Sequence, residues 1–171
     1  MNLMGKIWIN MFNLLKKKNI DVSDKAIVAV VDGEIIPTET IADETFAQSM
    51  MGKTIAIEPS NGNIVSPCNG KIELIFPTGH AFGVRMKDGT GIIVHIGIDT
   101  VKTKGDGFKV LKKQGDDVKA GEPVVKVDLD KLKKLGYILT AMTIISEPIE
   151  SRLYSDKNLH IVKKGDILID D

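Results

Sequence analysis

Short apolar runs separated by turn residues make up most of the chain after Ile20. Examples are Ala26 to Val31, Ile72 to Phe76 and Ile92 to Ile98, each beside a turn that contains glycine or proline. Strands of this length and spacing indicate an all-β fold, an antiparallel β-sandwich or barrel. Ala42 to Met51 and Asp130 to Leu135 are the two segments that could add short helical turns.

One stretch of turn residues narrows the predicted fold class. GDDVKAGEPV, at residues 115–124, is similar to the turns of barrel-sandwich hybrid folds, in which a motif is duplicated. Biotinyl and lipoyl carrier domains have similar turns and attach their cofactor to a lysine at a hairpin tip flanked by methionines. Met86-Lys87 is the nearest candidate, but the second flanking methionine is missing, which argues against a carrier domain.

The first 20 residues have a different pattern and are separated here from a single domain at residues 21–171. Apolar residues recur at helical spacing (Ile7, Met11, Leu14 and Leu15), and three lysines follow at 16–18. A segment of this kind could lie on an anionic membrane surface as an amphipathic helix. The alternative is a terminal helix that frays or packs locally.

Composition excludes several classes of function. The 171 residues include 23 basic and 23 acidic side chains, so net charge gives no reason to expect nucleic-acid binding. The single cysteine, Cys68, excludes an internal disulfide and a cysteine-based zinc cluster, and it fits a reducing compartment.

Two of the three histidines lie in one predicted hairpin. Asp88-Gly89 is a strong two-residue turn signal, and in that register His80 faces Gly97 while His95 faces Phe82. Both imidazoles then lie on the same face in diagonal positions about 7–8 Å apart. Phe82, Val84 and Ile93 share this predicted face as an apolar floor. A slip of one residue would send the histidines to opposite faces.

Two imidazoles over an apolar surface suggest two chemistries. One is metal binding, as in zinc peptidases of similar architecture, but a third ligand is unassigned, with Asp99 and His160 as the nearest candidates. The other is phosphoryl transfer through a phosphohistidine, because a neutral imidazole nitrogen is a competent nucleophile near pH 7. Geometry alone also allows two satisfied polar residues with no chemical role.

The residues around these histidines resemble the motifs of a known family. His80-Ala81-Phe82-Gly83 and Val94-His95-Ile96-Gly97-Ile98-Asp99-Thr100-Val101 are similar to the two signatures of the glucose-type enzyme IIA of the bacterial phosphoenolpyruvate-dependent sugar phosphotransferase system. The similarity runs from about Val28 to the C-terminus and includes Gly105 to Phe108, Gly115 to Val118 and the Asp32-Gly33 turn.

The resemblance implies a phosphotransferase component with a β-sandwich fold and no cofactor or bound metal. It implies phosphorylation of His95 at Nε2, with His80 stabilising the phosphoryl group and Thr78 orienting His80. Asp99 corresponds to an acidic residue of the active-site rim. The implied donor is the histidine-containing phosphocarrier protein, and the implied acceptor is a cysteine of a IIB domain.

The resemblance also implies a partner surface and a location. The surface should be apolar with acidic residues at its edge, and the matching positions are Asp43, Phe46, Met50, Met51, Phe76 and Ile93. For the two methionines, core packing is the alternative. The protein is expected in the cytoplasm, with membrane contact only through residues 1–20. A protein that regulates other enzymes through its phosphorylation state is the alternative function.

Three positions depart from the family pattern. Gly91 stands where an acidic residue is common, Thr103 replaces an apolar residue, and a common proline is missing around Thr140-Ala141. These departures leave the histidine chemistry unchanged and concern the strand edges. The transported sugar is not encoded in any of these motifs.

Overall fold

A computed structural model describes residues 20–171, so the predicted amphipathic segment lies outside the described residues except for Ile20. Short strands predominate and a few short helical turns lie between them, as the sequence predicts. The strands are β1 Ile27–Val28, β2 Gly33–Ile36, β3 Lys53–Pro59, β4 Asn63–Val65, β5 Gly70–Ile75, β6 Ala81–Arg85, β7 Gly91–Ile96, β8 Phe108–Val110, β9 Asp117–Val118, β10 Pro123–Val127, β11 Ala141–Glu147, β12 Ile161–Val162 and β13 Ile167–Ile169. The helices are α1 Glu44–Ala47 and α2 Leu129–Lys134, with 3₁₀ turns at Thr38–Thr40 and Thr100–Thr103.

The strands form three antiparallel sheets. An eight-stranded sheet has the order β12-β2-β3-β11-β7-β6-β5-β9, a three-stranded sheet the order β4-β10-β8, and β1 pairs with β13. Every pairing is antiparallel. The predicted all-β antiparallel fold with short helical turns is confirmed.

The large sheet buries both of its faces, and β7 shows how. Ile92, Val94 and Ile96 point into the main core between the sheets. Ile93 and His95 point to the opposite face, because side chains alternate along a strand. His95 therefore lies on the outer face, with the main core directly behind it.

The outer face has a smaller apolar cluster of its own. Met142 and Ile144 of β11 and Ala56 of β3 are fully buried there under Ile41 and Phe46. Phe46 belongs to α1, whose first turn is capped by the Asp43 carboxylate accepting from the backbone N–H of Thr45 at 2.8 Å. The cap and the cluster together fix α1 on the sheet beside β7 and β11.

The β6–β7 hairpin does not have the predicted two-residue turn. Met86 and Thr90 close it around a three-residue loop, and Ala81 instead of Phe82 faces His95. The last loop residue, Gly89, has a φ of +96°, which is typical of a type I turn ending in a left-handed bulge residue. The predicted register is therefore wrong by one residue.

This shift also changes the predicted floor of the site. Phe82 and Val84 are each 1% exposed and belong to the main core, on the far side of the sheet from His95. Ile93 stays on the face of His95, as predicted. Ala81, paired directly with His95, takes the place that Phe82 was expected to fill.

The structure shows the contacts of the three positions that depart from the family pattern. A Cβ on Gly91 would lie 2.9 Å from Nη1 of Arg85, because the Arg85 side chain crosses Gly91 to reach Glu147. Thr103 accepts a hydrogen bond from the Gly105 N–H through its hydroxyl at 3.3 Å. Ala141 is paired on both sides within β11, where a proline would remove a ladder donor.

Within residues 20–171, none of the helices has the length and apolar character that crossing a bilayer requires.

Candidate functional site

His95 is held by contacts from three parts of the chain. Its neighbours across the ladders are Ala81 of β6 and Met142 of β11. The ring of Phe46 lies 4.9 Å from the imidazole, centroid to centroid, at a tilt of 46°. The His95 residue is half-buried.

His80 lies just before β6, in a bend that begins after Phe76. Gly79 has a φ of +74°, and a Cβ there would lie 3.0 Å from the Cβ of Phe108, so the bend requires glycine. Nδ1 of His80 is 2.6 Å from the hydroxyl of Thr78, and the Phe76 ring lies 5.0 Å from the imidazole. The His80 residue is only 6% exposed.

The two imidazoles meet edge to face. Their ring centroids are 5.3 Å apart, and their planes make an angle of 81°. Strand alternation in the observed register would separate them, but His80 lies in the bend outside β6, so that rule does not apply to it. The prediction that the two rings meet is confirmed, although the register from which it was derived is wrong.

A hydrogen bond at Nδ1 defines the tautomer of His95, and Nδ1 of His80 is also paired. Nδ1 of His95 is 2.9 Å from the carbonyl oxygen of Gly97, which can only accept, so Nδ1 carries the proton. In the neutral ring, Nε2 then carries a free lone pair. When the Thr78 hydroxyl donates to Nδ1 of His80, the second imidazole presents an Nε2–H donor.

Both rings are kept neutral near pH 7. Burial lowers the pKa of His95, and the adjacent His80 lowers it further, while Gly97, Asp43 and Asp99 oppose the shift. Burial also lowers the pKa of His80. The site therefore pairs a nucleophilic nitrogen with a neutral hydrogen-bond donor.

An open depression of about 220 Å³ adjoins His95. Its lining includes both predicted acidic residues, Asp43 and Asp99, together with Phe46. Asp99 is exposed, has a left-handed backbone with φ of +58°, and lies 3.4 Å from Nζ of Lys102. The structure thus brings Asp43, Phe46 and Asp99 to one side of His95, as predicted.

The remaining predicted partner-surface residues are mostly exposed. Met50, Met51 and Phe76 are 70%, 40% and 41% exposed, so core packing does not account for them. Ile93 is half-buried beside the outer-face cluster. That a partner docks on these residues stays a prediction.

Sequence reasoning missed several members of the site. Val101, 49% exposed, lines the depression with Thr45 and the buried Thr100. The Gly97 carbonyl was missed as well, since a backbone acceptor leaves no side-chain signal. Thr100 and Val101 do stand in the predicted signature, directly after Asp99, and this adjacency was the one available clue.

Of the two predicted third metal ligands, Asp99 lies at the open depression beside His95, whereas His160 is remote from both paired histidines. His160 precedes the edge strand β12 and lies 3.8 Å from Glu34. Four strand spacings separate β12 from β7, which is roughly 19 Å. Among residues 20–171, no group of three or more His, Cys, Asp or Glu side chains is placed to hold a metal.

Comparisons with known proteins identify the family of the chain. The model of the family described as phosphoenolpyruvate-dependent sugar phosphotransferase system, EIIA 1, matches residues 25–150. A PTS system glucose-specific EIIA component of Staphylococcus epidermidis is 37% identical over 156 residues, which cover 91% of this chain and 93% of that protein. The PTS system glucose-specific EIICBA component of Staphylococcus carnosus is 41% identical over 143 residues, which cover 84% of this chain and 21% of that protein.

A solved structure shows the same fold. Glucose permease IIA from Mycoplasma capricolum superposes with a TM-score of 0.78 at 35% identity, covering 84% of this chain and 93% of that one. The chain therefore belongs to the EIIA 1 family of the phosphoenolpyruvate-dependent sugar phosphotransferase system, as a glucose-type phosphotransferase component of sugar transport.

Proposed function

We propose that Nε2 of His95 carries the phosphoryl group in this relay. The supporting observation is the pair of neutral imidazoles at 5.3 Å, with Nδ1 of His95 bound to Gly97 and Nε2 left as the free nucleophile. In the first step, the P–N bond of the donor phosphohistidine breaks as the P–Nε2 bond forms. In the second step, a thiolate of the acceptor attacks phosphorus and Nε2 leaves with its electron pair.

His80 stabilises the phosphoryl group in both steps. Charge on the transferred group is spread over its equatorial oxygens. The N–H of the His80 ring, whose centroid lies 5.3 Å from that of His95, can donate to one of these oxygens. Thr78 keeps that donor oriented, because its hydroxyl occupies Nδ1 of His80. Asp99 at the rim acts on the incoming protein and on the pKa of His95.

The proposed donor is the histidine-containing phosphocarrier protein, and the proposed acceptor is the IIB domain of a sugar permease. An exposed apolar surface next to two carboxylates suits two transient partners, because methionine and phenylalanine adapt to different contacts. We place this docking surface on Asp43, Phe46, Met50, Met51, Phe76 and Ile93.

The same proposal covers location and domain organisation. A relay that starts from phosphoenolpyruvate works in the cytoplasm, and residues 21–171 act there as one domain. Contact of residues 1–20 with anionic lipid stays a prediction. Sedimentation of the protein with vesicles containing anionic lipid, compared with neutral vesicles, tests it.

The central test is phosphorylation by phosphoenolpyruvate, enzyme I and the phosphocarrier protein, with mass spectrometry to locate the phosphate. His95→Ala should abolish acceptance, whereas His80→Gln should accept phosphate and pass it slowly to a IIB domain. His160→Gln is the matched control, because this exposed histidine is remote from the pair. Labelling of His95→Ala but not of His80→Ala would reverse the proposed roles.

A further inference from the structure

The turn that leaves β7 determines which nitrogen of His95 is protonated. Gly97, with φ of +75°, supplies the carbonyl that accepts from Nδ1. Its own N–H and that of Ile98 donate to the carbonyls of Thr140 and Ile138 at 2.9 Å each. The tautomer of His95 therefore depends on how firmly this turn is held.

Thr100 closes the turn from inside. It is fully buried, and its hydroxyl donates to the carbonyl of Ile96, the residue just after His95. Its methyl group lies against Gly97, since a Cβ built on Gly97 would be 2.5 Å from Cγ2 of Thr100. The hydroxyl thus fixes one end of the turn, while the methyl group only fills the space beside Gly97.

The turn also contains a residue with a left-handed backbone. Asp99 has a φ of +58° and a ψ of 16°, a left-handed conformation that aspartate tolerates better than most residues other than glycine. Its carbonyl accepts from the backbone N–H of Lys102 at 3.1 Å, and its side chain makes no cap within the 3₁₀ turn. Asp99 thus stabilises the far end of the turn, and the adjacent Thr100 binds the end next to His95.

We propose that Thr100 is a positioning residue for the phosphoryl acceptor, acting through Gly97. Its hydroxyl is bound to the Ile96 carbonyl, so it acts on His95 through the backbone of the turn. By holding the Gly97 carbonyl towards Nδ1, it keeps His95 in the tautomer whose Nε2 lone pair is free. The proposal rests on the proposed role of His95 and adds a residue to it.

Two substitutions separate the effect of the Thr100 hydroxyl from that of its methyl group. Thr100→Val keeps the branched shape and loses the hydroxyl, so the turn should loosen and His95 should populate both tautomers. Thr100→Ser keeps the hydroxyl and should retain the single tautomer. Thr103→Val is the matched control, because Thr103 lies in the same 3₁₀ turn but its hydroxyl accepts from Gly105.

The primary measurement is the pair of ¹⁵N chemical shifts of the His95 ring, which report the tautomer without any phosphoryl transfer. We expect mixed shifts in Thr100→Val, wild-type shifts in Thr100→Ser and Thr103→Val, and phosphoryl acceptance slowed roughly tenfold to a hundredfold in Thr100→Val alone. Circular dichroism would show that each variant is folded. If Thr100→Val does not fold, Thr100→Ser still tests the claim, since mixed shifts in that variant would overturn it.

Two further results would overturn the inference. One is an unchanged single tautomer of His95 in folded Thr100→Val, because a slower rate without a tautomer change would mark a merely structural residue. The other is an equal loss of the single tautomer in Thr103→Val. If wild-type His95 shows the single tautomer but takes no phosphoryl group, the proposed function fails while the positioning role of Thr100 stands.

Discussion

Thr78→Val would remove the hydroxyl that orients His80 while keeping the shape of the side chain. The hydroxyl lies 2.6 Å from Nδ1, and the His80 residue is only 6% exposed, so water replaces the lost partner poorly. Leaving such a group without a partner costs about 1–3 kcal/mol. If this cost falls on the transition state, phosphoryl transfer slows roughly tenfold to a hundredfold.

The assay is single-turnover transfer from the phosphorylated protein to a IIB domain, followed by rapid quench. Thr90→Val is the control, because Thr90 is a buried threonine remote from the histidines, and its hydroxyl pairs with the Tyr154 hydroxyl at 2.7 Å. That variant should lose stability to a similar degree and keep the transfer rate. The comparison separates loss of orientation at the site from general destabilisation.

A double-mutant cycle tests whether Thr78 acts through His80. In a His80→Ala background, the imidazole that Thr78 orients is absent, so Thr78→Val should have no further effect on the rate. An equal slowing with and without His80 would refute the reasoning. So would a Thr90→Val rate as low as that of Thr78→Val.

Three further predictions follow from the site and the core. Because folding lowers the pKa of His95 and His80, the unfolded chain binds protons first as pH falls. The free energy of unfolding in urea should therefore decline below about pH 6.5, and it should decline less steeply in a variant with glutamine at both positions. An identical pH dependence in the two proteins would contradict this. Asp43→Asn and Asp99→Asn should each lower the pKa of His95 further in an NMR titration, since both carboxylates raise that pKa. Asparagine at position 43 still caps α1, so the helix should be retained. A raised pKa of His95 in either variant would be inconsistent with this. Thr143→Val should stabilise the fold by about 1 kcal/mol in chemical denaturation, because the buried Thr143 hydroxyl has no hydrogen-bond partner among residues 20–171. A loss of stability would contradict this.

Local patterns in the sequence determined the strands and the identity of the site. Alternation in β7 sends Ile92, Val94 and Ile96 to one face and His95 to the other, and this depends only on residue order. The signature around His80 and His95 was specific enough to indicate the family and its chemistry. The Asp-Gly turn was also read correctly as a turn, since glycine there is a strong local signal.

The hairpin register was decided by tertiary structure. A loop of two or three residues is compatible with the same Asp-Gly letters, and the pairing of β7 with β11 on its other side requires one register across the whole sheet. The burial of Phe82 and Val84 in the main core favours that register, because the alternative would expose them.

The close approach of the two histidines also depends on contacts that the sequence pattern does not show. Phe46 reaches His95 from a helix that lies 49 positions earlier in the chain, and the acceptor for Nδ1 is a backbone carbonyl. The amino-acid sequence does not show directly where a backbone carbonyl points or which distant segments are in contact. The sequence alone therefore determined which residues are present on which strand, and the packing of α1, the bend at Gly79 and the turn at Gly97 decided their distance, tautomer and pKa.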